Sequence, residues 1–186
     1  MGTITQTYKP IVTAFAIVMG GSLAAWAQTA TVDDLFERLQ DAEEAEVSRL
    51  ESQIMTEWSK SGSPAVDFLL QRGQEAIGAG DFPTAVDHFT AAINYAPDFA
   101  EAYNGRATAF FMMGELGPSI DDIRQTLVLN PRHFGALMGF GAILEMVGQP
   151  DRALEVYEKI QDMIPEDPNA NAAIDRLTLD LQGQTL

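Results

Sequence analysis

Apolar residues recur along this chain at three- and four-residue steps, the spacing of one helix face. Leu35, Leu39, Ala42, Leu50, Ile54 and Trp58 mark such a stripe, and the pattern predicts one amphipathic helix over 32–59. "TVDD" supplies a cap and amino-terminal acids at its start, and "SGSP" at 61–64 ends it. From Val66 onward the helical runs come in pairs. Pro97, Pro131 and Pro165 interrupt them at intervals of 34 residues, and a proline inside a helix loses a hydrogen bond and clashes with the preceding turn.

Cutting the chain at that interval gives rows over 66–99, 100–133 and 134–167. Gly80, Gly114 and Gly148 align in mid-row. So do the small residues Gly73, Ala107 and Gly141, the small set Ala85, Ser119 and Ala153, and the bulky set Phe89, Ile123 and Tyr157. Each row then holds two helices of about 14 residues, a common length. The mid-row glycine ends the first helix in a left-handed conformation. The small residues admit close helix approach, the bulky residue fills the space between, and the proline turns the chain into the next row. Pro150 falls in the first turn of a helix, where proline is tolerated.

The interval and these recurring residues resemble the tetratricopeptide repeat, a helix-turn-helix unit of 34 residues. The resemblance covers 66–167. It implies an all-α fold, a right-handed helix-pair solenoid of three such units. The family's favoured tryptophan is replaced by Leu69, Tyr103 and Leu137. Its second small residue on the second helix is Ala92, then Thr126, then Ile160, so the third row is the loosest match. Ala173, Ile174, Leu177 and Leu181 predict a carboxy-terminal capping helix within 168–186, which covers the last apolar face of the array. The segment 28–65, with its amino-terminal helix, either caps the other end or extends the array as a non-repeat element.

Residues 1–27 read as a secretory signal peptide. Lys9 gives a positive start, an apolar run from Ile11 follows, and Ala25 and Ala27 form a small-x-small cleavage pattern. The run is short for a bilayer span, so no stable membrane span is expected after cleavage. The expected location is the periplasm of a Gram-negative bacterium. An uncleaved anchor is the alternative.

Charge and composition narrow the function. With 27 acidic and 11 basic residues the formal net charge is −16, which repels nucleic acid at long range. There is no cysteine, so disulfides and thiolate chemistry are excluded. His88 and His133 are 45 residues apart, without metal-ligand spacing. Asp121 and Asp122 are adjacent and face different sides of a helix. No phosphate loop, nucleophile elbow or HExxH is present. The expectation is therefore no enzyme, no catalytic residue, no metal and no cofactor.

What remains is a surface. In solenoids of the resembled family, the first helix of each unit lines the concave side. The register puts Leu70, Gln74 and Ile77 there from the first row. The second row supplies Asn104, Thr108, Phe111 and Met112, and the third Met138, Ala142, Glu145 and Met146. The best-known peptide-binding version clamps a terminal carboxylate with lysine, arginine and asparagine. Those places are held here by Leu70, Gln74, Gly105, Gly135 and Gly139, so no such clamp is expected. The groove reads as mostly apolar and methionine-rich, a surface that adapts to its partner. The resulting expectation is a non-enzymatic adaptor or scaffold for a protein or peptide partner. Two alternatives stay open: self-association through the 32–59 helix, which leaves the oligomeric state undecided, or an accessory module tethered at the inner membrane.

Overall fold

A computed structural model describes Gly2 and residues 31–183. The signal segment expected at 1–27 otherwise lies outside the described residues. These contain nine α-helices and no strand. α1 (Val32–Gln40) and α2 (Glu44–Trp58) precede the array. α3 (Pro64–Gly78) pairs with α4 (Phe82–Tyr95), α5 (Ala100–Met112) with α6 (Leu116–Leu129), and α7 (Phe134–Met146) with α8 (Pro150–Met163). α9 (Pro168–Gly183) packs on α8. None of the helices among the described residues is long and apolar enough to cross a membrane.

The helix ends follow from the residues that repeat. Gly80, Gly114 and Gly148 have φ of 74°, 77° and 72°, a region that costs any residue with a β-carbon. Pro97, Pro131 and Pro165 each lie just past the end of a second helix. The packing code is visible in the first pair. A β-carbon on Gly73 or on Gly105 would stand 2.5 Å from Phe89 Cε1. The Phe89 ring is therefore wedged between α3 and α5, and it is fully buried. Tyr157 meets Gly141 in the same way. α9 buries Ala170, Ala173 and Leu177, as a cap should.

The amino-terminal segment departs from the single helix expected over 32–59. It breaks at 41–43 into two helices. One straight helix of that length would extend about 40 Å and could not wrap its stripe onto a compact neighbour. Folding at Asp41 brings Leu35, Phe36 and Leu39 of α1 and Val47, Leu50 and Ile54 of α2 into one core with Phe134, Leu137 and Ile164. The hairpin thus sits on the third repeat rather than over the start of the first. It seats on two inter-repeat turns. At one, Trp58 stacks on His133 at 4.7 Å and meets Phe134 at a tilt, 5.1 Å between ring centres, and the Arg132 guanidinium lies 4.4 Å over the Phe36 ring. At the other, Gln40 Nε2 donates to the carbonyls of Asp162 and Met163 at 2.9 and 2.8 Å.

Candidate partner-binding site

The first helices α5 and α7 lie side by side and form a pocket of about 140 Å³. Asn104, Ala107, Thr108 and Phe111 line it from α5. Gly135, Ala136, Gly139 and Ile143 line it from α7, with Ser119 and Ile123 of α6 behind. Its origin is a size mismatch between rows. In the first row Phe89 fills the space between Gly73 and Gly105. The corresponding residues one row later are Ala107, Ile123 and Gly139, and all three line the pocket. Isoleucine is smaller than phenylalanine, and the Ile123 methyl stops 3.8 Å short of where a Gly139 β-carbon would stand.

The pocket is apolar below and polar at its lip. Ser119 Oγ donates to the Ala107 carbonyl at 2.9 Å, and Thr108 Oγ1 donates to the Asn104 carbonyl at 3.0 Å. Both hydroxyl protons are thereby used. The half-buried Asn104 amide makes no hydrogen bond to another described residue and remains available to a ligand backbone.

Three expected groove residues therefore meet at one pocket: Asn104, Thr108 and Phe111. Met112 lies beside them, 54% exposed. The others are placed differently. Leu70 is buried in the core of the first pair, with half-buried Ile77 packed against that core, while Gln74 is exposed. Met138 is half-buried against the core that holds the hairpin. Ala142 is half-buried, and Met146 is exposed. Glu145 is committed within the protein. It accepts from Arg176 at 2.6 and 3.1 Å and from the Tyr157 hydroxyl at 2.9 Å. The Arg176 hydrogen bonds hold its carboxyl below the ordinary carboxylate range, and burial together with Glu145 pushes the Tyr157 phenol up.

Three polar arrangements escaped the sequence reading. Arg106 forms a bidentate pair with Asp122, Nε–Oδ2 2.7 Å and Nη2–Oδ1 2.8 Å, and its Nη1 donates to Thr90 at 3.0 Å. This ties α4, α5 and α6 together. His133 caps α7 by accepting from the Ala136 N–H at 3.1 Å, and its Nε2 lies 3.3 Å from Glu101 Oε1. Glu51 of α2 faces Asp167, whose Oδ1 accepts the amides of Asn169 and Ala170 at the start of α9. Burial first, and the Asp167 charge second, push Glu51 up to about 7. Adjacent acids in the sequence gave Asp122 no distinctive signal. The pair of small residues Gly135 and Gly139, one helical turn apart, was the legible sign of a pocket wall.

Stacked helix pairs with a lined concave face define a helical-repeat interaction module. A model of the tetratricopeptide repeat matches residues 70–117. A TPR repeat-containing protein of Rhizobium etli is 37% identical over 82% of this chain and 75% of its own length. The chain belongs to the tetratricopeptide repeat family. Tetratricopeptide repeat protein 36 of Mus musculus is 30% identical, over 78% of this chain and 81% of its own. The small glutamine-rich tetratricopeptide repeat-containing protein 2 of Saccharomyces cerevisiae is 29% identical, over 73% of this chain but only 37% of its own. Among solved structures, the first TPR of Spaghetti bound to the HSP90 peptide SRMEEVD superposes with a TM-score of 0.61, at 20% identity. That match spans 64% of this chain and 95% of the other. MamA gives a TM-score of 0.59 at 22% identity, over 82% and 85%. These likenesses place the fold.

Proposed function

We propose that this protein is a non-enzymatic adaptor that holds an apolar segment of a protein partner on its concave face, around the pocket between α5 and α7. The observation that carries the reading is the pocket itself: an apolar hollow with a free amide at its lip. Binding sites commonly combine an apolar body with a few orienting polar groups. The partner of the Spaghetti domain is an acidic peptide. Here the places that would meet a terminal carboxylate are Leu70, Gln74, Gly105, Gly135 and Gly139, which carry no cation. A net charge of −16 further disfavours acidic ligands and steers basic ones inward. The proposed location is the periplasm, supported by the Ala25-x-Ala27 pattern after a short apolar run.

Selection from a random twelve-residue peptide display library tests the reading. The expected result is enrichment of internal apolar motifs flanked by neutral or basic residues. Enrichment of acid-terminated sequences would overturn it. So would an absence of any enrichment alongside dimers in light scattering, which would favour self-association. Amino-terminal sequencing of exported material tests the location: the mature chain is expected to begin near Gln28, and recovery of Met1 or Gly2 refutes it.

A further inference from the structure

The rows of the array show what is missing from the pocket. In the first, the Phe89 ring stands between Gly73 and Gly105. In the third, the Tyr157 ring stands against Gly141, with Ala173 of α9 at the position that corresponds to Gly105. The second row alone puts an aliphatic residue, Ile123, at this place, and the hollow lies there. We infer that the pocket is a socket for one phenylalanine side chain of a partner segment, which completes the second row as Phe89 completes the first.

Size, polarity and approach each select this occupant. A hollow of about 140 Å³ compares with apolar cavities of roughly 150 Å³ that take up benzene. Tyrosine would bring a hydroxyl to a floor made mostly of the Ala107, Ile123, Ala136 and Ile143 side chains, where the Ser119 oxygen, its own proton given to the Ala107 carbonyl, is the floor's one side-chain acceptor. An unsatisfied buried hydroxyl is costly. On the α7 side Gly135 and Gly139 carry no side chain, so the backbone bearing the ring can come close to the helix, within reach of the Asn104 amide. No charged residue lines the hollow, so nothing there selects a chain end over an internal residue.

This inference rests on the adaptor reading but is tested without a natural partner. The probe is N-acetyl-phenylalanine amide, added to the full mature chain and followed by methyl NMR. Binding is expected at roughly millimolar concentration, as suits a small ligand. Ring-current shifts are expected at the Ala107, Ile123, Ala136 and Ile143 methyls, with at least tenfold weaker effects from N-acetyl-tyrosine amide and none from N-acetyl-alanine amide. The variant Ala107→Gly with Ile123→Phe rebuilds the Gly73–Phe89–Gly105 arrangement and fills the socket from within, so it should abolish the shifts. Gly139→Leu, which projects into the same hollow, serves where that double variant fails to fold. Shifts absent from these methyls, or persisting in a folded filled variant, would overturn the socket. If library peptides bind while the probe does not enter, the socket falls and the adaptor reading stands. If neither binds, both fall.

Discussion

A β-carbon on Gly141 would stand 2.6 Å from Tyr157 Cε1, inside van der Waals contact. The Tyr157 hydroxyl is fixed from its other end by Glu145 at 2.9 Å, so the ring cannot swing away without breaking that bond. Gly141→Leu is therefore expected to lower stability by roughly 1–3 kcal/mol or more, the ordinary cost of overpacking. A short array has few interfaces over which to spread the loss. Thermal denaturation checks this, and an unchanged Tm would show that the ring is freer than its contacts indicate.

The Arg106–Asp122 pair gives a second test. Asp122 is almost wholly buried and Arg106 largely so. Removing one partner strands the other charge in a poorly solvated site, which commonly costs about 3 kcal/mol or more. Asp122→Ala should approach that figure. The double variant Arg106→Met with Asp122→Leu should recover much of it, because no charge is then left alone. Denaturant unfolding of the two variants measures the difference. A double variant as unstable as Asp122→Ala would mean that the pair is worth more than its desolvation.

These two features differ in how legible they were. Gly141 and Tyr157 could be read because each recurs in register with Gly73 and Phe89 or with Ala107 and Ile123, and register reports packing. The Arg106–Asp122 pair occurs in one row only, so no periodicity announces it. The break in the amino-terminal segment was hidden for another reason. Asp41, Ala42 and Glu43 include no glycine or proline, and the apolar stripe runs on through them. The bend is set by the core it reaches, around Phe134 and Ile164, and tertiary burial overrides local preference. The pocket was half legible. Asn104, Thr108 and Phe111, placed together by the repeat register, all line it, but the hollow depends on the small size of Ile123, which passes in the sequence as a satisfactory bulky residue.

Seating of the α1–α2 hairpin should depend on pH. Glu51 faces Asp167, which is committed to the α9 amides. The other ionic contacts of the seam are Asp33 with Arg132 and, beneath Trp58, Glu101 beside His133. With Glu51 raised from an ordinary 4.5 to about 7, the folded chain keeps a proton that the unfolded chain has released between those values. Stability then falls as pH rises through that window, and the loss is complete above it. Denaturation midpoints at pH 5 and pH 8 should differ in that sense, and Glu51→Gln should reduce the difference. An undiminished difference in Glu51→Gln would assign the effect to another group.

Phe111 forms one wall of the pocket and is half-buried beside exposed Met112. Its ring is held by packing against the core of Ala107, Ile123, Ala136 and Ile143, so it presents a fixed apolar face rather than a flexible one. Aromatic residues near the centre of an interface commonly cost about 2 kcal/mol or more when truncated, a factor of roughly thirty in affinity. Phe111→Ala should weaken a library-selected peptide by about that factor while helicity is retained. Glu43→Gln, on the exposed turn of the hairpin, should leave affinity unchanged. Added salt should slow association of a basic peptide through screening, with less effect on its dissociation. Titration calorimetry with the same peptide across these variants decides the matter: wild-type affinity in Phe111→Ala, with loss on altering α1 or α2, would move the docking site from the concave face to the hairpin.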